Sequence, residues 1–380
     1  MTLATGYDRW LDIVHTRQRR PPVPKGSLMH STGPSTTARR VTYSTARHLT
    51  VEPAPPAPPA PGEVGIDVAY TGICGTDLHI FHGDMDARIN PPGVIGHEMS
   101  GRIAALGAGV DGWQVDDPVT VMPLRWCGDC PACRSGHTHI CHRLTFLGID
   151  ADGAMQTTWT VPADTLVRLP RDLPLEHAAL VEPTAVAVHD VRRAELRQGE
   201  RTIVVGGGPI GLLIAIVARK NGADVVLVEP DPYRRSVAEG LGLTALDPGA
   251  DGFTGTLAHW TGGAGAEVAF EVSGAAAGVT TAVDALATRG RLVQVAIHSA
   301  PREVDLHRFF WRELTLHGAR LYDRTDFDAA VRLIADGDIP AKTLISRIEP
   351  MERATEAFEA LESGGGVVKV LIDCRTSEDA

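Results

Sequence analysis

The chain has 380 residues, of which 43% are hydrophobic, and a formal net charge of −11. This length is sufficient for two domains, and the acidic surface argues against nucleic acid as a partner because it repels phosphates. No apolar run reaches the roughly 18 residues that a membrane-spanning helix needs, so no membrane partner is expected. The N-terminus has no apolar segment of the signal-peptide type. The sequence therefore predicts a cytoplasmic protein whose six cysteines are thiols or metal ligands.

The first segment differs in composition from the remainder of the chain. Residues 1–38 are polar, basic and rich in Pro, Ser and Thr, which is typical of a flexible tail. A start codon assigned too early, with Met29 as one alternative start, would explain the same composition. The segment EPAPPAPPAPG that follows predicts a stiff, extended connector.

The next region, to about residue 183, indicates a mostly β domain. The segment EVGIDVAY alternates Val64, Ile66, Val68 and Tyr70 on one face, which predicts a half-buried strand ending shortly before Cys74. Short apolar runs punctuated by Gly and Pro continue from there.

After residue 184 apolar strands alternate with helical segments, beginning with RTIVV, PIGLLIAIVARKNGA and DVVLVE. This alternation predicts an α/β domain with a parallel sheet covered on both faces, that is, a doubly wound Rossmann domain. The segment LTLHGARLY is predicted to be a strand of it. The last apolar run, VVKVLI, predicts a closing strand.

A glycine-rich loop lies between the first strand and first helix of this region. Gly206, Gly208 and Gly211 have the spacing G-x-G-x-x-G, and Pro209 and Ile210 lie at the start of the predicted helix. The glycines permit a tight turn and close approach of a pyrophosphate to the helix N-terminus. The loop therefore predicts a dinucleotide site.

The acidic residue that follows the second strand indicates which dinucleotide the site would prefer. Glu229 can accept hydrogen bonds from the adenosine ribose hydroxyls and would repel a 2′-phosphate, which favours NAD over NADP. Arg234 and Arg235 lie close by in sequence and could suit a phosphate, so NADP stays open as the less favoured coenzyme.

Four cysteines are concentrated in the segment CGDCPACRSGHTHIC. Cys127, Cys130, Cys133 and Cys141 have the pattern C-x2-C-x2-C-x7-C, which suits a closed tetrahedral zinc site with a structural role. An iron–sulfur cluster or a pair of disulfides is the alternative.

Together these segments resemble the zinc-containing medium-chain dehydrogenases. GICGTDLH, PPGVIGHEMSGRI, the four-cysteine segment, LVEPTAVAVHD and VVGGGPIG occur in the family's order. The dipeptide Glu182–Pro183 resembles the residues found at this place in the branch that acts on polyols, threonine and butanediol. The resemblance implies a GroES-like catalytic domain at 39–183, a Rossmann domain at 184–324, and a return of residues 325–380 to the first domain.

The resemblance also implies a catalytic zinc and a reaction. Its ligands would come from Cys74, His97, Glu98 and Glu182, and either carboxylate would contact the metal. A hydride would pass reversibly between NAD and a small-molecule secondary alcohol, vicinal diol or polyol. Family members are commonly tetramers, so a homo-oligomer, tetramer or dimer, is expected.

Three residues after the strand are implied to assist that zinc. Thr76 would hydrogen-bond the substrate oxygen and His79 would pass the proton outward, while Asp77 would orient a ligand histidine. The catalytic set is therefore Cys74, Thr76, His79, His97, Glu98 and Glu182.

Two departures and two rival functions remain open. Ala296 stands where many relatives have glycine, and sorbitol-type members have an arginine directly before Tyr322, where this chain has Leu321 with Arg320 one position earlier. On a strand, a shift by one residue would turn the side chain to the other face, which argues against a sorbitol-like pocket. The rival functions are a zinc-free enone or quinone reductase on the same fold and a non-catalytic nucleotide-binding protein.

Overall fold

The computed structural model describes residues 38–298, 300–364 and 366–376. Residues 1–37, nearly all of the predicted tail, lie outside the described residues, so that prediction stays untested. The strands, in chain order, are β1 Arg39–Thr45, β2 His48–Pro53, β3 Glu63–Gly72, β4 Gly93–Val94, β5 Glu98–Leu106, β6 Pro118–Val121, β7 Leu124–Arg125, β8 Thr145–Phe146, β9 Thr158–Pro162, β10 Leu166–Arg168, β11 Arg201–Val205, β12 Asp224–Val228, β13 Thr244–Leu246, β14 Ala266–Glu271, β15 Leu286–Gln294, β16 Thr315–Gly318, β17 Ile345–Pro350 and β18 Lys369–Asp373.

The helices alternate with the strands mainly in the second half of the chain. They are α1 Gly75–Phe81, α2 Asp86–Ile89, α3 Pro131–Arg134, α4 Leu175–Ala178, α5 Val181–Arg193, α6 Pro209–Lys220, α7 Pro232–Gly240, α8 Phe253–Trp260, α9 Ala276–Ala285, α10 Leu306–Arg312, α11 Arg324–Ala335, α12 Ala341–Leu344 and α13 Ala354–Glu362. Short 3₁₀ turns occur at Thr138–Ile140, Ala163–Thr165 and Met351–Arg353.

The first part of the chain forms a mostly antiparallel sheet with the order β10-β6-β5-β3-β18-β17, in which β9 also pairs with β3. Strand β18, the last described strand, runs antiparallel to β3 and so packs beside the strand that leads to Cys74. The mostly β catalytic region is confirmed as part of the α/β fold.

The strand before Cys74 is more buried than the sequence predicts. Side chains from both faces of β3 are buried, including Val64, Ile66 and Val68 on one face and Ala69 on the other. The prediction of a half-buried strand was wrong because β3 is a central strand, paired with β5, β9 and β18 and covered on both faces.

The second region is the predicted parallel sheet, with the order β13-β12-β11-β14-β15-β16 and every described pair parallel. Helix α6 begins with Pro209, which suits the first helical position because its missing N–H has no partner to lose there. Its buried face packs the helix against α5 and the sheet.

The last strand of this sheet ends earlier than predicted. LTLHGARLY was expected to be extended throughout, but β16 ends at Gly318 and Leu321 has a left-handed φ of 57°. The alternation of side chains along a strand therefore does not apply to Arg320. The sequence argument that Arg320 faces away from the pocket of a sorbitol-like enzyme loses its basis.

Candidate active site

Cys74 lies where β3 passes into α1, at the N-cap of that helix. Its backbone N–H donates to Asp77 Oδ2 at 2.9 Å, so the buried Asp77 fixes the start of the helix. The cysteine side chain is partly exposed, unlike the fully buried Asp77 beneath it. Local sequence therefore presents one partly exposed thiol together with one buried carboxylate three residues later.

His97 and Glu98 enter the site at the start of β5. Gly96 has a φ of 94°, and a Cβ there would lie 2.7 Å from Met155 Cγ, so only glycine fits the turn. Gly72 of β3 pairs with Glu98, and a Cβ at Gly72 would collide with the Glu98 carboxylate. Two glycines thus make room for the two candidate ligands.

The structure brings three predicted ligands together. One donor atom each from Cys74, His97 and Glu98 lies within 4.8 Å of the others. His97 Nδ1 lies 3.7 Å from Asp77 Oδ1, so this buried carboxylate is placed to orient the ring of a ligand histidine. Thiolate, imidazole and carboxylate are the donors that zinc prefers, so the group fits a zinc ion.

Glu182 lies in the first turn of α5, outside this group of three, and is buried. Its Oε1 accepts a hydrogen bond of 2.7 Å from the hydroxyl of Tyr322, which is also fully buried. Sequence reasoning did not assign Tyr322 a role. Nothing local marks it, because its partner is 140 positions away.

A buried lysine holds the other carboxylate. Lys369 on β18 forms an ion pair with Glu98 Oε2 and donates a hydrogen bond of 2.8 Å to the carbonyl oxygen of Ile73. Sequence reasoning missed Lys369. The signal available was one lysine inside the apolar run VVKVLI, since lysine is rarely buried without a partner.

The electrostatics of the group favour a cation. Burial, and then the charge of Glu98, raises the pKa of Glu182 to about 7, although the charge of His97 opposes the shift. Burial by itself would lower the pKa of His97, but the nearby Asp77 and Cys74 raise it to about 10. Burial by itself would also lower the pKa of Lys369, but Glu98 and Cys74 raise it, so the acidic groups stabilise positive charge on both cations.

The two predicted relay residues lie on α1 beside the candidate ligands. Thr76 and His79 are both partly exposed, and His79 Nδ1 lies 3.4 Å from Asp84 Oδ2 near the surface. Their positions lead outward from Cys74, but their roles in proton transfer stay predictions.

The glycine loop has the close contacts that a dinucleotide site requires. Gly206 has a φ of 112°, and a Cβ on Gly211 would lie 1.8 Å from the Gly206 carbonyl oxygen. The loop opens the N-terminus of α6, where Pro209 and Ile210 form the first turn. These residues fit the pyrophosphate of a dinucleotide.

The carboxylate of Glu229 is fixed at the end of β12. Its Oε2 accepts from Gly207 N at 2.6 Å and its Oε1 accepts from Asp231 N at 2.8 Å. Arg234 Nη1 lies 4.0 Å from the position of a Cβ on Gly208, so its guanidinium borders the glycine loop. Arg235 instead bonds the Glu229 and Pro230 carbonyls.

The four clustered cysteines converge on one point. Their sulfur atoms all lie within 4.8 Å, with 3.9 Å between Cys127 and Cys133, 3.9 Å between Cys130 and Cys141, and 3.4 Å between Cys127 and Cys141. Zn–S bonds of ~2.3 Å in a tetrahedron place sulfurs about 3.8 Å apart, whereas a disulfide needs ~2.05 Å. This four-cysteine lobe, residues 127–141, therefore fits zinc. All six cysteines are free of disulfides.

A third group of metal-type donors is already neutralised within the protein. His189, Asp323 and Asp326 lie together, but Arg192 donates to Asp323 at 2.7 Å and to Asp326 at 2.8 Å. We interpret this group as an ion-pair network between α5 and the start of α11.

Comparison with known proteins agrees with this geometry. Residues 60–171 match the alcohol dehydrogenase GroES-like domain, and residues 209–336 match the zinc-binding dehydrogenase family. The chain belongs to the zinc-containing alcohol dehydrogenase superfamily. It is therefore an oxidoreductase of the polyol-dehydrogenase branch that acts on CH–OH groups with zinc and NAD(P).

Individual relatives extend over nearly the whole described chain. A 2-dehydro-3-deoxy-L-galactonate 5-dehydrogenase from Pseudoalteromonas atlantica is 47% identical over 83% of this chain and 93% of that protein. An L-galactonate-5-dehydrogenase from Escherichia coli is 35% identical over 78% and 87%. The crystal structure of 2R,3R-butanediol dehydrogenase from Bacillus subtilis superposes with a TM-score of 0.81 and 30% identity, covering 89% of this chain and 99% of that one.

No helix among the described residues is both long and apolar enough to cross a membrane.

Proposed function

We propose that this enzyme oxidises a secondary hydroxyl of a polyhydroxy acid, with NAD⁺ as the hydride acceptor. The observation that carries the proposal is the convergence of Cys74, His97 and Glu98 beside Glu182. The acid class of the substrate is supported by the two galactonate dehydrogenases among the relatives. The reaction converts R₂CHOH and NAD⁺ to R₂C=O, NADH and one proton.

The metal and coenzyme would supply the two parts of this chemistry that side chains cannot. A zinc ion held by Cys74, His97 and Glu98 would provide Lewis acidity at the substrate hydroxyl, and the nicotinamide would take the hydride. Glu182, held by Tyr322, would be a second carboxylate able to bind the same ion. Asp77 keeps the His97 ring oriented from behind.

The proton would leave along α1. Thr76 accepts it from the substrate hydroxyl while passing on its own, and His79 carries it toward Asp84 at the surface. Both side chains are partly exposed, which suits a path that ends in water.

We propose NAD rather than NADP as the coenzyme. Glu229 is buried and its carboxylate is fixed by two backbone N–H groups, so it cannot turn away from a 2′-phosphate. Of the two arginines that could suit a 2′-phosphate, Arg235 is engaged by carbonyl oxygens and by Asp247, while Arg234 borders the glycine loop.

The test is a set of initial rates with L-galactonate, 2-dehydro-3-deoxy-L-galactonate, galactitol, 2,3-butanediol and L-threonine, each with NAD⁺ and NADP⁺. We expect the highest kcat/KM for an acid of the galactonate type with NAD⁺. Faster turnover of butanediol or threonine would overturn the substrate class, and a preference for NADP⁺ would overturn the role of Glu229.

We also propose that the enzyme associates with a second copy of itself through the β16 edge of the parallel sheet. Strand β16 is last in the strand order, and Leu316 is 50% exposed. Nearby α10 exposes Leu306, Phe310 and Trp311 to 74%, 74% and 68%. An open strand edge bordered by apolar side chains is well suited to pairing.

Light scattering should show a dimer or tetramer for the native enzyme and a smaller species for Phe310→Glu. A monomeric native enzyme, or unchanged size in the variant, would contradict this interface. Tyr233→Glu, which alters an exposed aromatic on α7, is the matched control.

A cytoplasmic location is proposed on the state of the thiols. All six cysteines are free, and five of them belong to two groups of candidate metal ligands, four in one and Cys74 in the other. Reducing conditions keep such thiols available. Cell fractionation with an antibody against the protein tests this location.

A further inference from the structure

The order of the strands in the parallel sheet separates the two halves of a bound dinucleotide. The chain moves outward from β11 to β12 and β13, then returns to the other side of β11 and continues with β14, β15 and β16. Ligands of such sheets bind at this reversal, outside the carboxyl ends of the strands. The glycine loop follows β11 and Glu229 follows β12, so we expect the nicotinamide half of the coenzyme at the carboxyl ends of β14 and β15.

The segments that follow β14 and β15 contact each other, and the first of them contacts the glycine loop. A Cβ on Gly206 would lie 2.8 Å from the backbone nitrogen of Ser273, just after β14. A Cβ on Gly274 would lie 3.8 Å from both the Cβ of Ala296 and the carbonyl oxygen of Ile297, just after β15. The two segments therefore pack together beside the expected path of the coenzyme.

A buried carboxylate at the end of β14 joins these two segments. Glu271 is fully buried, and its Oε1 accepts hydrogen bonds from Ser273 N at 2.9 Å, Ser273 Oγ at 2.5 Å and Gly274 N at 3.1 Å. Its Oε2 accepts from Gln294 Nε2 at 3.1 Å and lies 3.1 Å from His298 Nε2. One carboxylate oxygen therefore contacts the segment after β14, and the other contacts the end of β15 and the segment that follows it.

The histidine that contacts Glu271 is itself fixed by an arginine. Arg302 Nε lies 3.2 Å from His298 Nδ1, and Nδ1 is the acceptor because an arginine nitrogen can only donate. The ring therefore has its proton on Nε2, from which it donates to Glu271. The His298 side chain is only 13% exposed, so this hydrogen bond is largely shielded from water. Arg302 thus selects the tautomer in which His298 holds its segment to β14.

We propose that His298 is a positioning residue for the nicotinamide half of the coenzyme and acts through Glu271. Residues 295–297 are held at both ends, because Gln294 and His298 on either side of them bond the same carboxylate oxygen. A segment that is already fixed loses little conformational freedom when a ligand binds to it. Glu229, at the adenosine end, lies on the other side of β11, so the adenosine half should bind without help from His298.

The test compares the binding of NADH with that of ADP-ribose, which lacks the nicotinamide ring. His298→Ala should weaken NADH binding by about 10-fold, as expected for the loss of one hydrogen bond to a buried charge, and should change ADP-ribose binding by less than about 2-fold. Isothermal titration calorimetry measures both dissociation constants, and the same pair with a 2′-phosphate is used if the enzyme prefers NADP⁺. Equal weakening of both ligands, or unchanged NADH binding, would overturn the proposal.

Two matched variants separate the hydrogen bond from other effects of the substitution. A glutamine amide can donate to Glu271 as Nε2 does, so His298→Gln should restore most of the affinity for NADH. His259 is exposed in the last turn of α8, and His259→Ala should leave both dissociation constants unchanged. If His298→Gln binds NADH as weakly as His298→Ala, the hydrogen bond to Glu271 does not position the coenzyme and the proposal is wrong.

Arg302→Met is the second variant if His298→Ala does not fold. Arg302 is partly exposed, and its loss frees the His298 ring to adopt either tautomer. NADH binding should then weaken by about 3-fold while ADP-ribose binding is preserved. Unchanged NADH binding in Arg302→Met, or an equal loss for both ligands, would contradict the proposal. These measurements need no substrate, so an error in the proposed substrate class would not alter their outcome.

Discussion

The two candidate metal sites of this enzyme differ in their ligand types and in how far apart the ligands lie in the sequence. In the four-cysteine lobe, the ligands are all thiols and come from one segment, 127–141. At the candidate catalytic site, Cys74 lies close to His97 and Glu98 of another strand, and Glu182 and Lys369 come from more distant parts of the chain.

The difference indicates what a metal ion would do at each site. Four thiolates would complete a tetrahedral shell and leave no position for a substrate, so we expect a metal in the lobe to have a structural role. Three mixed donors would leave a position open on the metal. Lys369 holds Glu98, and the Tyr322 hydroxyl holds Glu182. The comparison predicts that changes at the lobe affect stability and that changes at Cys74 affect rate.

The largest effect is expected at the lobe. Cys130→Ser removes one of four ligands, and structural zinc sites are worth about 10–16 kcal/mol in small peptides. We expect loss of about half the bound zinc and a large fall in Tm. Elemental analysis and calorimetry measure both, with the buried, non-ligand Cys374→Ser as the control. An unchanged Tm would contradict a structural role for the lobe.

Cys74→Ser should instead abolish turnover with little loss of stability. Lewis acidity is worth several kcal/mol, so we expect kcat to fall by at least about 1,000-fold while the lobe keeps its zinc. Initial rates and zinc content measure this. If the variant loses zinc from the lobe as well, the two sites are not independent and the comparison fails.

Lys369→Met tests the charged groups behind the catalytic site. Breaking a buried ion pair leaves the Glu98 carboxylate without a partner and should cost about 3 kcal/mol of unfolding free energy. Lys220→Met is the control, since the exposed Lys220–Asp338 pair should contribute less than about 1 kcal/mol. Equal effects in urea unfolding would show that the buried pair has no special role.

Thr76→Ala should slow turnover by about 100-fold while zinc and NADH still bind, because the first proton acceptor is lost. Stopped-flow rates and coenzyme fluorescence separate the two effects. A variant with nearly native kcat would remove Thr76 from the proton path without affecting the role of Cys74.

The smallest effect concerns pH. Burial raises the pKa of Glu182 from 4.5 to about 7. In the metal-free protein, the contribution of this group to the free energy of unfolding is therefore fully present below pH 4.5 and is lost as the pH rises through about 7. Zinc favours the ionised form, so zinc binding should release a proton and weaken below pH of about 7.

Zinc titration of chelator-treated enzyme on both sides of that pH measures the effect, and Glu182→Gln should remove the step near neutrality. A step that persists in Glu182→Gln would assign it to another group.

Much of the fold was predictable because its signals are local. The alternation of strands and helices after residue 184, the glycine spacing at 206–211 and the cysteine spacing at 127–141 each lie in one short segment. The structure confirms the mostly β region followed by a parallel sheet. The burial of β3 was underestimated, since no local pattern reveals how many strands will pair beside it.

The sequence by itself determined the chemistry that is present: a thiol after a strand, a His–Glu pair after Gly96, and a glycine loop followed by an acid. Only the tertiary structure decided what stands behind these groups. Lys369 reaches Glu98 because β18 pairs with β3, and Tyr322 reaches Glu182 because the chain turns at Leu321 instead of continuing β16. Such partners are set by the packing of distant segments, which residue spacing does not encode.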